Sequence, residues 1–162
     1  MILISHALVG TALTNRHVHG AAIFFTAFAS HYLLDAIPHW HYSVPRVKKA
    51  VNDLTGKKTL SWKAAFLPDF LKIAVDCSIG ALLSYLLFDG GAAGVLLAVS
   101  GAVFPDLLIG LSRFYPNRFL ELHYTFHRWI HSRVRLDEKP LFGITTQVAF
   151  VALMVFLGKK FF

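Results

Sequence analysis

Apolar residues dominate this chain in blocks, and polar residues gather between them. Met1 to Thr14 is apolar with His6 near its start, and Asn15, Arg16 and His17 break it. Val18 to Ile37 forms a second block, closed by Pro38, which cannot continue a helix and forces the residue before it into an extended conformation. Residues 38–61 are the longest polar stretch, with Pro45, Asn52-Asp53 and Gly56 as turn formers and room for a short basic helix. Trp62 to Phe88 is a third helix, divided by Pro68 into a lead-in and a span. Asp89-Gly90-Gly91 turns the chain into a fourth, Ala92 to Leu111, which contains Pro105-Asp106. Asn117 to Arg133 alternates differently: Phe119, Leu122, Phe126 and Ile130 share one side, with basic residues interleaved, as in a helix lying at a membrane interface. Leu141 to Leu157 is the last apolar block, free of acids and bases until Lys159-Lys160.

The blocks are long for a soluble core. Spanning a bilayer takes a helix of about 20 apolar residues, and several blocks approach that length. Composition agrees: 56% hydrophobic, 15% charged, mean hydropathy +0.56, where soluble domains carry roughly a quarter charged residues. The expected fold is all-α: one membrane-embedded domain over residues 1–162, a bundle of five hydrophobic helices plus an interfacial amphipathic helix. The same offset separates Gly20-Ala21-Ala22 from Gly91-Ala92-Ala93 and Asp35 from Asp106. Helices one and two are therefore a candidate repeat of helices three and four.

A net charge of +7 raises nucleic acid as a partner. The basic residues, however, cluster between apolar blocks: Arg46, Lys48, Lys49, Lys57, Lys58 and Lys63 in one loop, Arg113, Arg118, Arg128, Arg133, Arg135 and Lys139 in another. That is the pattern of cytoplasmic loops facing anionic lipid, so the bilayer is the expected partner and nucleic acid is not. Lys159-Lys160 runs mildly against this topology. The single cysteine, Cys77, excludes an intrachain disulfide and a thiolate zinc cluster. No signal-peptide pattern opens the sequence.

With both basic loops on one side, His6, His31, Asp35, Asp76 and Asp106 fall five to eight residues from the inner ends of their helices. A rise of 1.5 Å per residue puts them at one level, roughly 8–12 Å below the interface. His31 and Asp35 are four apart and share a helical face, as do His127 and His131 on the interfacial helix. A carboxylate at that depth costs several kcal/mol unless paired, and the buried segments offer only Lys72 as a cation. Either protonated histidines are the partners, or metal ions neutralise the cluster. The plain alternatives are an interhelical hydrogen bond for His31/Asp35, a salt bridge or helix end for Asp76, and a kink at Pro105-Asp106.

Imidazole with carboxylate and no thiolate suits a divalent metal, zinc first, then manganese or iron, rather than calcium. Seven candidate ligands (His6, His31, Asp35, Asp76, Asp106, His127 and His131) leave room for two ions, and paired ions suit displacement at phosphorus. Asp76 or Asp106 is a candidate general base, and Arg128, beside His127, a candidate phosphate clamp. His39 and His41 lie beyond the helix end as outer contacts, and His123 is peripheral. No Gly-x-Ser-x-Gly elbow, phosphate-cradling glycine loop or zinc-finger spacing occurs.

Four pieces of the chain resemble the predicted membrane-bound metal-dependent hydrolases, the YdjM-like inner-membrane group. They are Ser5-His6-Ala7-Leu8-Val9-Gly10, His31-x-x-x-Asp35, Phe104-Pro105-Asp106 and His127-Arg128-Trp129-Ile130-His131-Ser132. Two pieces depart from the family pattern. Leu107-Leu108-Ile109 follows Asp106 in place of a second acid and histidine, and the last two histidines are one residue closer. The resemblance implies metal-dependent hydrolysis in the cytoplasmic membrane of a bacterium or archaeon. With the residues above, the expectation is a phosphoesterase acting on a lipid or lipid-linked substrate from the cytoplasmic face. A small metal-binding transporter and a non-enzymatic membrane scaffold are the rival classes.

Overall fold

The computed structural model describes residues 2–15, 19–42, 62–115, 117–134 and 136–161. Among these residues six helices are seen: α1 (Leu3–Thr14), α2 (Gly20–Ala36), α3 (Trp62–Leu87), α4 (Gly91–Phe114), α5 (Arg118–Ile130) and α6 (Pro140–Phe161). The basic loop residues Arg46, Lys48, Lys49, Lys57 and Lys58, and the short helix expected there, lie outside the described residues.

The shortest of the apolar helices is the central one. α1 packs against α2, α3, α4 and α6 together, and ten of its twelve residues are buried. A helix that is apolar all round finds its partners on every side. Its hydroxyls are satisfied within the helix: Thr11 Oγ1 donates to the Ala7 carbonyl at 2.8 Å and Thr14 Oγ1 to the Gly10 carbonyl at 2.9 Å. Small side chains let its neighbours close in. Ala27 of α2 meets Ala98 and Ala102 of α4, and Ala7 of α1 meets Val95 and Val99. At Gly101 a Cβ would stand 2.3 Å from the Phe24 carbonyl oxygen, so α2 and α4 can touch there only across a glycine.

Segments Leu67–Leu87, Gly91–Ser112 and Pro140–Phe161 are long and apolar enough to cross a membrane. Their outward faces are large and apolar, including Leu82, Leu86, Leu141, Phe142 and Val148, a surface water would not tolerate at this extent. α5 lies against α4 and α2. Its Asn117 cap accepts from the Leu120 N–H at 3.0 Å. The helix turns Leu120 and His127 inward and leaves Phe119, Leu122, Phe126 and Trp129 as an exposed stripe. Trp129 completes the stripe in place of Ile130, which is half-buried.

Candidate metal centre

Four segments bring their ionisable groups to one end of α1. His31 and Asp35 sit on the last two turns of α2. Ile37 leaves the helix in an extended conformation ahead of Pro38, and the chain runs back past the helix end as His39-Trp40-His41. α6 clamps that run: the Gln147 amide donates to the Trp40 carbonyl at 2.8 Å. Gly143 lies so close that a Cβ there would be 2.7 Å from the Trp40 Cβ. Asp106 follows Pro105 on α4. His127 faces in from α5, and His131 follows it where the Ser132 N–H donates to the Asp35 carbonyl at 2.8 Å.

The inner group is His31, Asp35, Asp106 and His127. Asp35 Oδ2 lies 3.2 Å from His31 Nε2 and 3.1 Å from His127 Nε2. The two Nε2 atoms are 3.1 Å apart, and Asp106 Oδ1 is 3.7 and 3.8 Å from them. His31 Nδ1 is 2.7 Å from the Ala102 carbonyl oxygen. A carbonyl only accepts, so Nδ1 carries the hydrogen and the Nε2 of the neutral ring points a lone pair into the group. These five separations, 3.1–3.8 Å, are close to the edges of a tetrahedral shell with bonds near the ~2.0–2.2 Å of zinc to nitrogen or oxygen.

The outer group is His39, His41 and His131. The His41 Nε2 lies 2.9 Å from that of His39 and 3.3 Å from that of His131. Their Nδ1 atoms face oxygen acceptors: the Ile37 carbonyl at 2.6 Å, Asp137 Oδ1 at 3.3 Å and the Ser132 carbonyl at 3.2 Å. Burial pushes the His39 imidazole down to about 3, and burial also lowers His41, so these rings stay neutral, the form that ligates metal. Asp35 joins the groups, its Oδ1 3.6 Å from His39 Nε2.

His6 supplies the test of whether the set suits a metal. It is fully buried and stacked on His31 with ring centroids 4.0 Å apart. Neither of its ring nitrogens makes a hydrogen bond, although Nε2 lies 3.3 Å from Asp35 Oδ1. A buried imidazole without a hydrogen-bond partner is costly in a protein interior, and beside a carboxylate shared by two histidine groups it fits a place for a cation. These buried His and Asp groups could hold a metal ion.

Of the residues expected in the site, His31, Asp35, Asp106 and His127 come together, His6 adjoins them, and His131 falls in the second group. Asp76 does not join either group. Its carboxylate receives the Leu3 N–H on Oδ2 at 2.7 Å and the Ile4 N–H on Oδ1 at 3.2 Å, capping α1, which has no side-chain cap of its own. The positive end of α1 balances this charge without a metal. Arg128 is exposed, with its guanidinium 5.5 Å from the Tyr124 ring centroid. Lys72 lies 3.7 Å from Asp69, a buried acid the sequence reading left aside. His123 is 2.8 Å from the Tyr32 hydroxyl, at the margin of the inner group. His39 and His41, expected only as contacts beyond the helix end, form a group of their own with His131, and Asp137 behind His41 was not expected; the signal for the first two was a His-x-His pair just past a proline helix stop. Comparisons with protein-family models, curated proteins and solved structures found no match to this chain.

Proposed function

We propose that this is a membrane-bound metal-dependent hydrolase that cleaves a phosphoester of a lipid or lipid-linked substrate at the cytoplasmic face. The observation that carries the reading is the convergence of His31, Asp35, Asp106 and His127, from three helices, on one point at one end of an apolar bundle. A divalent cation held there, zinc first by donor type, would polarise a phosphoryl oxygen and make a water acidic enough to attack. Asp106 is the only one of the four with a substantially exposed side chain, at 40%, so its carboxylate is positioned to take a proton from an entering water. Arg128 is exposed with its guanidinium over Tyr124, and it would meet a phosphate only by swinging off that ring. The stripe of Phe119, Leu122, Phe126 and Trp129 sits at headgroup level, as amphipathic aromatic surfaces do.

On this reading α1 and α2 complete a five-helix membrane domain with α3, α4 and α6, and the shared offset of Asp35 and Asp106 marks α1–α2 and α3–α4 as a repeat. The resemblance to predicted membrane-bound hydrolases supports the same assignment. A transporter fits less well: no acid or base occurs between Asp76 and Asp89, between Asp89 and Asp106, or between Lys139 and Lys159, so nothing carries an ion to the far side. The test is elemental analysis of the purified protein, followed by release of phosphate or diacylglycerol from a lipid panel. Metal and hydrolysis in the native protein, both lost in His31→Ala/Asp106→Ala, are expected. Metal-free native protein, or hydrolysis indifferent to the double substitution, would falsify the reading.

A further inference from the structure

We propose that His39, His41 and His131 hold a second divalent cation, bridged by Asp35 to the one in the inner group. This deepens the reading above, and it rests on that reading only in taking the inner group to hold an ion. The Ile37 and Ser132 carbonyls only accept, so His39 Nδ1 and His131 Nδ1 must each carry a hydrogen. Asp137 Oδ1, 3.3 Å from His41 Nδ1 and 3.1 Å from the His41 N–H, fixes the third ring in the same tautomer. In the neutral, metal-ligating form, each ring with its hydrogen on Nδ1 turns an Nε2 lone pair towards the others, 2.9 and 3.3 Å apart. Bare lone pairs at that separation repel, and a cation between them turns the repulsion into ligation. A backbone carbonyl or carboxylate behind each ring is also the outer partner that metal-bound histidines ordinarily have.

Asp35 makes the two groups one site. Its Oδ1 faces His39 and His6, and its Oδ2 faces His31 and His127. The two positions differ in charge and access. The inner group has two carboxylates, enough to neutralise a divalent ion. The outer group has three neutral imidazoles and a share of one carboxylate, so its ion keeps positive charge for an anionic ligand. His41 and His131 are 33% and 26% exposed in their side chains, against 0% for His31 and 6% for His127. Access separates them less, since Asp106 of the inner group is 40% exposed and His39 of the outer group 1%. Three nitrogen ligands also leave a place open, as in catalytic zinc sites.

The experiment uses the full chain in detergent micelles, stripped with chelator and reloaded with Co2+ or Mn2+. Two equivalents of Co2+ per chain are expected, binding in two phases, and the Mn2+ form should show the paramagnetic resonance of a spin-coupled pair. His39→Ala/His41→Ala should keep one equivalent and give an uncoupled Mn2+ spectrum, with helical circular dichroism unchanged. Asp137→Asn, which leaves every ligand in place, should weaken only the second phase, by about 10–100-fold. A single equivalent in the native chain overturns the proposal whatever the variants do, as does a folded double variant that still binds two. One equivalent together with lipid hydrolysis removes the second ion and leaves the hydrolase reading standing. Two equivalents without hydrolysis do the reverse.

Discussion

Asp35 and Asp76 are both buried carboxylates, 2% and 8% exposed, on helices that pack against α1. Their surroundings could hardly differ more. Asp35 has the imidazoles of His6, His31, His39 and His127 within 3.6 Å. Asp76 has two backbone N–H groups of α1. One acid is surrounded by imidazoles that could hold a cation together with it; the other meets a helix end that already carries partial positive charge. Depth in an apolar segment therefore shows that a carboxylate needs a counterpart, and leaves open whether that counterpart is an ion or a backbone.

The sharpest way to break the contrast is Asp35→Asn. It should remove nearly all bound metal, because the amide cannot supply the charge or the bridge, and metal content by mass spectrometry reads it directly. Asp76→Ala comes next and should act on stability alone. Two amide hydrogen bonds to a charged acceptor are lost, at about 1.5–3 kcal/mol each before any rearrangement; denaturant unfolding in micelles should show the loss while metal content holds. If Asp76→Ala emptied the site of metal instead, the cap assignment would be wrong. His6→Phe keeps the ring volume stacked on His31 and removes both nitrogens, so the fold should persist while metal affinity falls by roughly 10-fold. A separate test is the effect of acid on the metal-stripped protein. Burial holds His39 at about 3 against its ordinary 6.5, so between those values the unfolded chain binds a proton that the folded chain does not. Stability must then fall as pH drops from 6.5 towards 3, and saturating metal should oppose the fall, measured as the unfolding midpoint against pH.

Much of this centre could be read in advance because helical spacing is rigid. His31 and Asp35 share a face by geometry alone, Pro38 ends α2 where it must, and counting residues put His6, His31, Asp35, Asp76 and Asp106 at one level, of which all but Asp76 come together. Other parts had no such marker. Whether His39 and His41 turn back to the helix end depends on α6, more than a hundred residues later, through Gly143 and Gln147. The main-chain hydrogens that Asp76 meets at the start of α1 are announced by no residue type. α1 reads as a weak span because it is short, yet it is the central helix, a fact visible only once four neighbours surround it. Arg128 adjoins His127 in sequence, but adjacent helical residues point some 100° apart, and its guanidinium rests over Tyr124.

The clamp that α6 places on Trp40 has a consequence for how the molecule can be cut. Every proposed ligand lies before residue 132, so a fragment ending ahead of Pro140 would retain the full complement of donor atoms. It would lack the wall that holds His39 and His41 in place. Such a truncated chain should assemble the four-residue inner set and leave the three-histidine set unformed, which makes the terminal helix a structural gatekeeper for ligands it does not itself contain.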